Sequence, residues 1–98
     1  MIKPTFLGGN KAFSAYLSQN LNYPETTRKA SVQGKVYVEF VVDRDGSIQG
    51  VSVLRGVHPD SDAEAIRLIQ NMPNWIPGEQ GGEKIKVKQT IPINFSLH

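Results

Sequence analysis

The sequence predicts an α+β domain in two layers, with helices packed on one face of a three-stranded antiparallel sheet, and three observations predict it. Apolar residues recur at helical spacing over Phe13, Tyr16, Leu17 and Leu21, and again over Ala65, Ile66, Leu68, Ile69 and Met72. They alternate at period 2 over Val36, Val38, Phe40 and Val42, and over Ile85, Val87, Ile91, Ile93, Phe95 and Leu97. Asp45-Gly46, a strong hairpin signal, joins the first of these strands to another apolar stretch. The expected order is helix, short helix, strand, strand, helix, strand.

Residues 1–98 read as one domain, with 1–9 a flexible lead, 10–22 an N-terminal helical extension and 23–97 the core. The first helix is expected from Asn10, as N-cap after Gly8 and Gly9, to about Leu21. Pro24 disfavours helix at Tyr23 and fits the first position of a short helix reaching about Ala30. Gly34 opens a strand whose apolar parity makes it the centre of the sheet, and Asp43 to Ser47 supply the turn. The returning strand, Ile48 to Arg55, changes parity, which predicts a bulge near Gln49 and Gly50. Ser61 and Glu64 stand at capping-box spacing before the second long helix. Pro73 ends that helix, Trp75 to Gly78 form a stiff connection covering the core's edge, and Glu79 to Glu83 read as a loop. The last strand, Ile85 to Leu97, carries Pro92, and proline is confined to edges, bulges and strand starts. It is therefore placed antiparallel beside the first strand, giving the order second, first, third.

The 98 residues include no cysteine, so there is no disulfide framework and no thiolate chemistry. A formal charge of +2 falls well short of the Lys/Arg concentration that phosphate backbones demand, so nucleic acid is not an expected partner. No apolar run approaches a membrane span, and MIKPTFLGGNK has no signal-peptide core. The chain is expected either to be cytosolic or to be a piece of a longer protein.

The catalytic inventory is thin. His58 precedes a proline in a loop and His98 is the last residue, so both read as surface histidines. Asp43, Asp45, Asp60 and Asp62 lack the alternating ligands and distant glutamate of a calcium loop and read as turn and cap residues. No catalytic residue, metal site or cofactor is expected. Lys84, Lys86 and Lys88 would form a basic stripe on the last strand, keeping an edge soluble or steering an incoming acidic or polar peptide to it.

Taken in order, Tyr23-Pro24, Gly34-Lys35-Val36, Phe40-Val41-Val42, Asp45-Gly46-Ser47-Ile48, and Val51, Val53 and Leu54 resemble the TonB C-terminal domain family. Pro59, Asp62 to Ala65, Met72-Pro73, Trp75, Pro77, Pro92 and Phe95 agree with it, so the resemblance covers Tyr23 to Leu97. The segment Phe6 to Leu21 is similar to an extension found in one branch. Thr27, Ser31, Ser61 and Ile76 depart from the pattern, Ser31 standing where a glycine is common.

The resemblance implies a non-enzymatic energy-coupling module of the Gram-negative periplasm, its parent anchored in the inner membrane and working with ExbB and ExbD. It implies as partners the TonB-dependent outer-membrane transporters, whose TonB box adds as a strand to the edge of the last strand. Carried over residue by residue, Lys86, Lys88, Gln89 and Thr90 would offer the docking edge, and Asn20, Asn22, Tyr23 and Pro24 the flanking contacts. Docking is expected to concentrate N-terminal to Pro92. The family also implies a possible homodimer by strand exchange. The competing reading is a peptide- or cell-wall-binding module of another envelope protein, such as a sensor or peptidase regulator.

Overall fold

A computed structural model describes residues 1–96. Its elements are α1 (Gly9–Asn20), α2 (Glu25–Lys29), β1 (Gly34–Val42), β2 (Ile48–Arg55), α3 (Pro59–Gln70), β3 (Gly78–Gln80), β4 (Glu83–Ile85) and β5 (Val87–Phe95). Three strands form one antiparallel sheet in the order β2-β1-β5, as expected, with the helices on one face. The parity of β1 explains its central place: Val36, Val38, Phe40 and Val42 are wholly buried, and Ile93 and Phe95 of β5 join them. Ala65, Leu68, Ile69 and Met72 of α3 and its C-terminal flank close this core from the other layer. Leu97, expected at the end of the last strand, and His98 lie outside the described residues.

The β1–β2 turn is closed by the Gly46 N–H donating to the Asp43 carbonyl at 2.9 Å and the Asp43 N–H to the Ser47 carbonyl at 2.9 Å. Gly46 has φ +86°, and a Cβ there would lie 2.1 Å from the Trp75 carbonyl oxygen, so only glycine fits. The Trp75 N–H donates back to the Gly46 carbonyl at 2.8 Å, fastening the segment after α3 to the hairpin tip. The expected bulge is present: Glu39 pairs with Ser52 but Val41 with Gln49, so β2 carries an extra residue around Gly50, which has φ +60°. A second shift, not foreseen, leaves Leu54 extra between Arg55 and Val53, the partners of Tyr37 and Val38.

Several expectations are corrected. The cap of α1 is Gly8, at φ +94° and without a side-chain bond, and Asn10 lies inside the first turn. Pro24 is the N-cap of α2 rather than its first residue. The cap of α3 is His58, whose Nδ1 accepts from the Asp60 N–H at 3.1 Å, with Pro59 at the first helical position. Ser61 and Glu64 therefore sit within the helix and are buried, and they form no capping box. Residues 79–83 are not a plain loop: β3 and β4 make a two-stranded ribbon turned by Gly81 and Gly82, both at positive φ.

The lead, expected to be flexible, is docked on that ribbon. Ile2 exchanges backbone hydrogen bonds with Glu79 at 2.7 and 2.9 Å, and Thr5 with Ile76 at 3.0 and 2.8 Å. These bonds place Phe6 in the core, its ring 5.2 Å from Phe13, 5.7 Å from Tyr16 and 5.8 Å from Trp75. Trp75 also packs edge-on against Phe40, so the indole is part of the core's interior rather than a cover on its rim.

Candidate functional site

In the order β2-β1-β5 two strands have an unpaired side, and they differ. The β2 edge is broken by two register shifts, and bulges of this kind blunt an edge against pairing. The β5 edge runs from Val87 to Phe95, paired to β1 residue by residue with no shift. Proline is accommodated in a paired strand when its nitrogen faces away from the partner. Backbone groups alternate in direction along an antiparallel ladder, so those of Lys88, Thr90, Pro92 and Asn94 face the open side. Pro92 offers an acceptor there and no donor. The same four side chains are exposed on the bare face of the sheet, while Val87, Gln89 and Ile91 are half-buried and, with buried Ile93 and Phe95, face the helices.

Of the residues singled out in the sequence, Lys88, Gln89 and Thr90 stand together on this strand. Lys86 falls in the break between β4 and β5, and Lys84 belongs to β4, opposite Glu79. The three lysines are therefore not one stripe along one strand, because the chain leaves the ribbon before entering the sheet. Lys88 Nζ lies 3.7 Å from Glu39 Oε1, a pair at the sheet surface with the lysine exposed and the carboxylate half-buried, whose contribution is at most about 1 kcal/mol.

Tyr23 stands at the other end of β5, with Asn20, Asn22 and Pro24 beside it in the chain. The Tyr23 ring packs edge-on against Phe95 at 5.6 Å, and its hydroxyl donates to the Val32 carbonyl. The backbone of Asn20 and Asn22 is held by α3. The Asn22 N–H donates to Glu64 Oε2 at 2.6 Å, and Arg67 Nη2 donates to the Asn20 carbonyl at 2.9 Å. Arg67 also donates to both Glu64 oxygens, at 2.6 and 2.8 Å. Burial pushes the Glu64 carboxyl up, but the hydrogen bonds from Arg67 and Asn22 and the Arg67 charge outweigh it and hold the group below the usual carboxylate range. Tyr16 completes the attachment, its hydroxyl donating to the Leu68 carbonyl at 2.8 Å. Lys88 to Thr90 and Tyr23 thus stand toward opposite ends of a strand roughly 25–30 Å long.

Sequence reasoning missed what lies beside the C-terminal half of that strand. Ser14, Leu17, Ser18 and Leu21, one stripe of α1 and its flank, face Pro92, Ile93 and Asn94 across a cavity of about 330 Å³. The spacing of those four residues is the available signal, but Leu17 and Leu21 also share the helical arc of Phe13 and Tyr16, which points to the core. Among the described residues there is no cluster of metal-ligating side chains, and no helix is long and apolar enough to cross a membrane.

Comparison with known proteins bears on this geometry. Residues 19–97 match the family described as Gram-negative bacterial TonB protein C-terminal. Two solution NMR structures of the Helicobacter pylori TonB C-terminal domain are similar in fold, each 21% identical in sequence. The longer aligns with a TM-score of 0.65 over 87% of this chain and 77% of its own. The shorter aligns with a TM-score of 0.66 over 88% of this chain and 90% of its own. No curated protein sequence matches at a significant level.

Proposed function

This chain belongs to the family of Gram-negative bacterial TonB protein C-terminal domains, and from that premise we propose that it is a periplasmic coupling domain that grips outer-membrane transporters by strand addition. The TonB box of a TonB-dependent transporter pairs with the open side of β5. The rest of the parent protein, anchored in the inner membrane with ExbB and ExbD, pulls on it. The domain does this without catalysis of its own.

The observation that carries the reading is the contrast between the two edges: β5 is unbroken over its whole pairing with β1, and β2 is doubly bulged. Main-chain bonds dominate strand addition, so one domain can serve transporters of differing sequence. A strand loaded along its length must break its bonds together, which is what transmitting a pull requires. Lys88, Thr90 and Asn94 supply donors and acceptors for this, Pro92 an acceptor, and Lys86 and Lys88 a positive approach. Tyr23 and Pro24 border the far end of the same rail.

The test is an NMR titration of the ¹⁵N-labelled domain with synthetic box peptides from transporters of its own cell, repeated on Thr90→Pro. That variant removes a donor facing the open side and no bond to β1, so the fold persists while binding weakens roughly fivefold for each bond lost. Shifts concentrated at Lys88, Thr90, Asn94 and Tyr23 are expected. A folded domain whose shifts fall on β2, or nowhere, would overturn the reading.

A further inference from the structure

The cavity between α1 and β5 adjoins the open edge at the level of Pro92 to Asn94, and its floor is apolar: Leu17, Leu21 and Ile93. Its rim is the small side chains of Ser14 and Ser18 with the backbone at Asn94, and among the described residues no charged one lines it. We propose that this cavity is a selectivity pocket that receives one uncharged aliphatic or aromatic side chain from the strand docked on β5, the residue paired opposite Ile93. The inference rests on the docking reading above and adds to it the chemistry of one position.

Pairing geometry selects that position. Residues directly opposite one another in a sheet project to the same face. Ile93 is buried on the helix face, so the docked residue across from it also points toward the helices, where α1 leaves the cavity. Residues opposite Pro92 and Asn94 project to the bare face of the sheet and meet no wall. A void of about 150 Å³ is enough to take up benzene, so about 330 Å³ accommodates a leucine, methionine or phenylalanine side chain. A carboxylate or ammonium placed there would lose water and find no countercharge among the described lining residues. Backbone pairing supplies sequence-tolerant grip, and the pocket makes one residue of the incoming strand matter.

The test uses a transporter-box peptide and its single-alanine set, with affinities read by NMR on the wild-type domain, Ser18→Phe and Ser14→Phe. Both serines are exposed on α1, so phenylalanine there fills the cavity from its rim without entering the core. One apolar peptide position should lose roughly tenfold on truncation to alanine. In the filled variants that loss should fall below about twofold, while the Lys88 and Thr90 shifts persist. If the peptide pairs with β5 but every alanine variant binds alike, or the filled variants keep the preference, the pocket is refuted and docking stands. If no peptide shifts Lys88, Thr90 or Asn94 in the wild type, docking itself fails. If Ser14 and Ser18 shift on raising protein concentration without peptide, the cavity belongs to a second copy and the inference is overturned.

Discussion

Replacing Glu64 by glutamine removes one charge and keeps the side chain's shape, and its effect follows from three groups that this carboxylate serves. It accepts from the Asn22 N–H and, twice, from Arg67. Hydrogen bonds to a charged group contribute about 1.5–3 kcal/mol each, and breaking a fully buried ion pair costs about 3–5 kcal/mol. The Glu64 side chain is 8% exposed but that of Arg67 is 42% exposed, so a released guanidinium recovers much of its hydration. A net loss of about 2 kcal/mol is expected, or about 8–16 °C in Tm for a domain of this size. Unfolding followed by fluorescence of the single tryptophan, Trp75, measures it.

Location and pH dependence distinguish this account from a general loss of packing. Helix α1 has no wholly buried residue and, at 12 residues, is too short to persist alone, so it depends on these attachments to α3. Amides of α1 should therefore lose hydrogen-exchange protection while those of β1 keep theirs. Folding lowers the Glu64 pKa, so the unfolded chain binds that proton more readily. The stability it contributes is fully present above the ordinary glutamate value of about 4.3 and is lost as pH falls through the lower folded value. The gap between wild type and Glu64→Gln should accordingly close in acid. A variant within about 0.5 kcal/mol of wild type at neutral pH, or a gap that widens on acidification, would refute the reasoning.

Three further outcomes are expected. Gly46→Ala forces a Cβ to 2.1 Å from the Trp75 carbonyl at φ +86°, whereas Gly50→Ala, at φ +60°, meets nothing within 4 Å. Urea midpoints should therefore show a cost near 1–2 kcal/mol at Gly50, about that of a left-handed residue, and a clearly larger one at Gly46. Phe6→Ala should cost about 3–5 kcal/mol if the lead is docked as observed, and a loss under about 1 kcal/mol in the same assay would mean that the lead does not hold its place. Ser31 has φ +55°, left-handed without being glycine, so Ser31→Gly should relieve about 1–2 kcal/mol of strain. Glycine's added chain entropy returns about 0.5–1 kcal/mol of that, leaving a net stabilisation of up to about 1.5 kcal/mol readable in Tm.

What was legible in the sequence follows the range of the interactions involved. The period of β1, the Asp45-Gly46 turn and the parity change at Gly50 are local, and each is found where its residues predict it. Ser61 and Glu64 had capping-box spacing as well, yet Pro59 starts α3 earlier and turns both inward, where Glu64 meets Asn22 and Arg67. Residues 1–6 carry too few apolar positions to show a period, and they are ordered by partners at Ile76 and Glu79, far away in the chain. The polar β3–β4 ribbon shows alternation only at Ile85, which continues the parity of β5 and so reads as part of that strand although it closes the ribbon.

The candidate site divides in the same way. An edge can be read from one residue, because Pro92 has no N–H and so restricts which side of its strand is paired. The cavity cannot, because it exists only where α1 lies over β5, and that placement depends on Tyr16 reaching Leu68, Arg67 reaching Asn20 and Phe6 filling the space beneath. The docking edge is thus a property of one strand, while the pocket beside it is a property of how α3 holds α1. The two are separable by mutation. Loosening the Glu64 attachment should blunt any preference for an apolar side chain in the pocket before it weakens pairing along Lys88 and Thr90, whereas Thr90→Pro should weaken pairing and leave α1 in place.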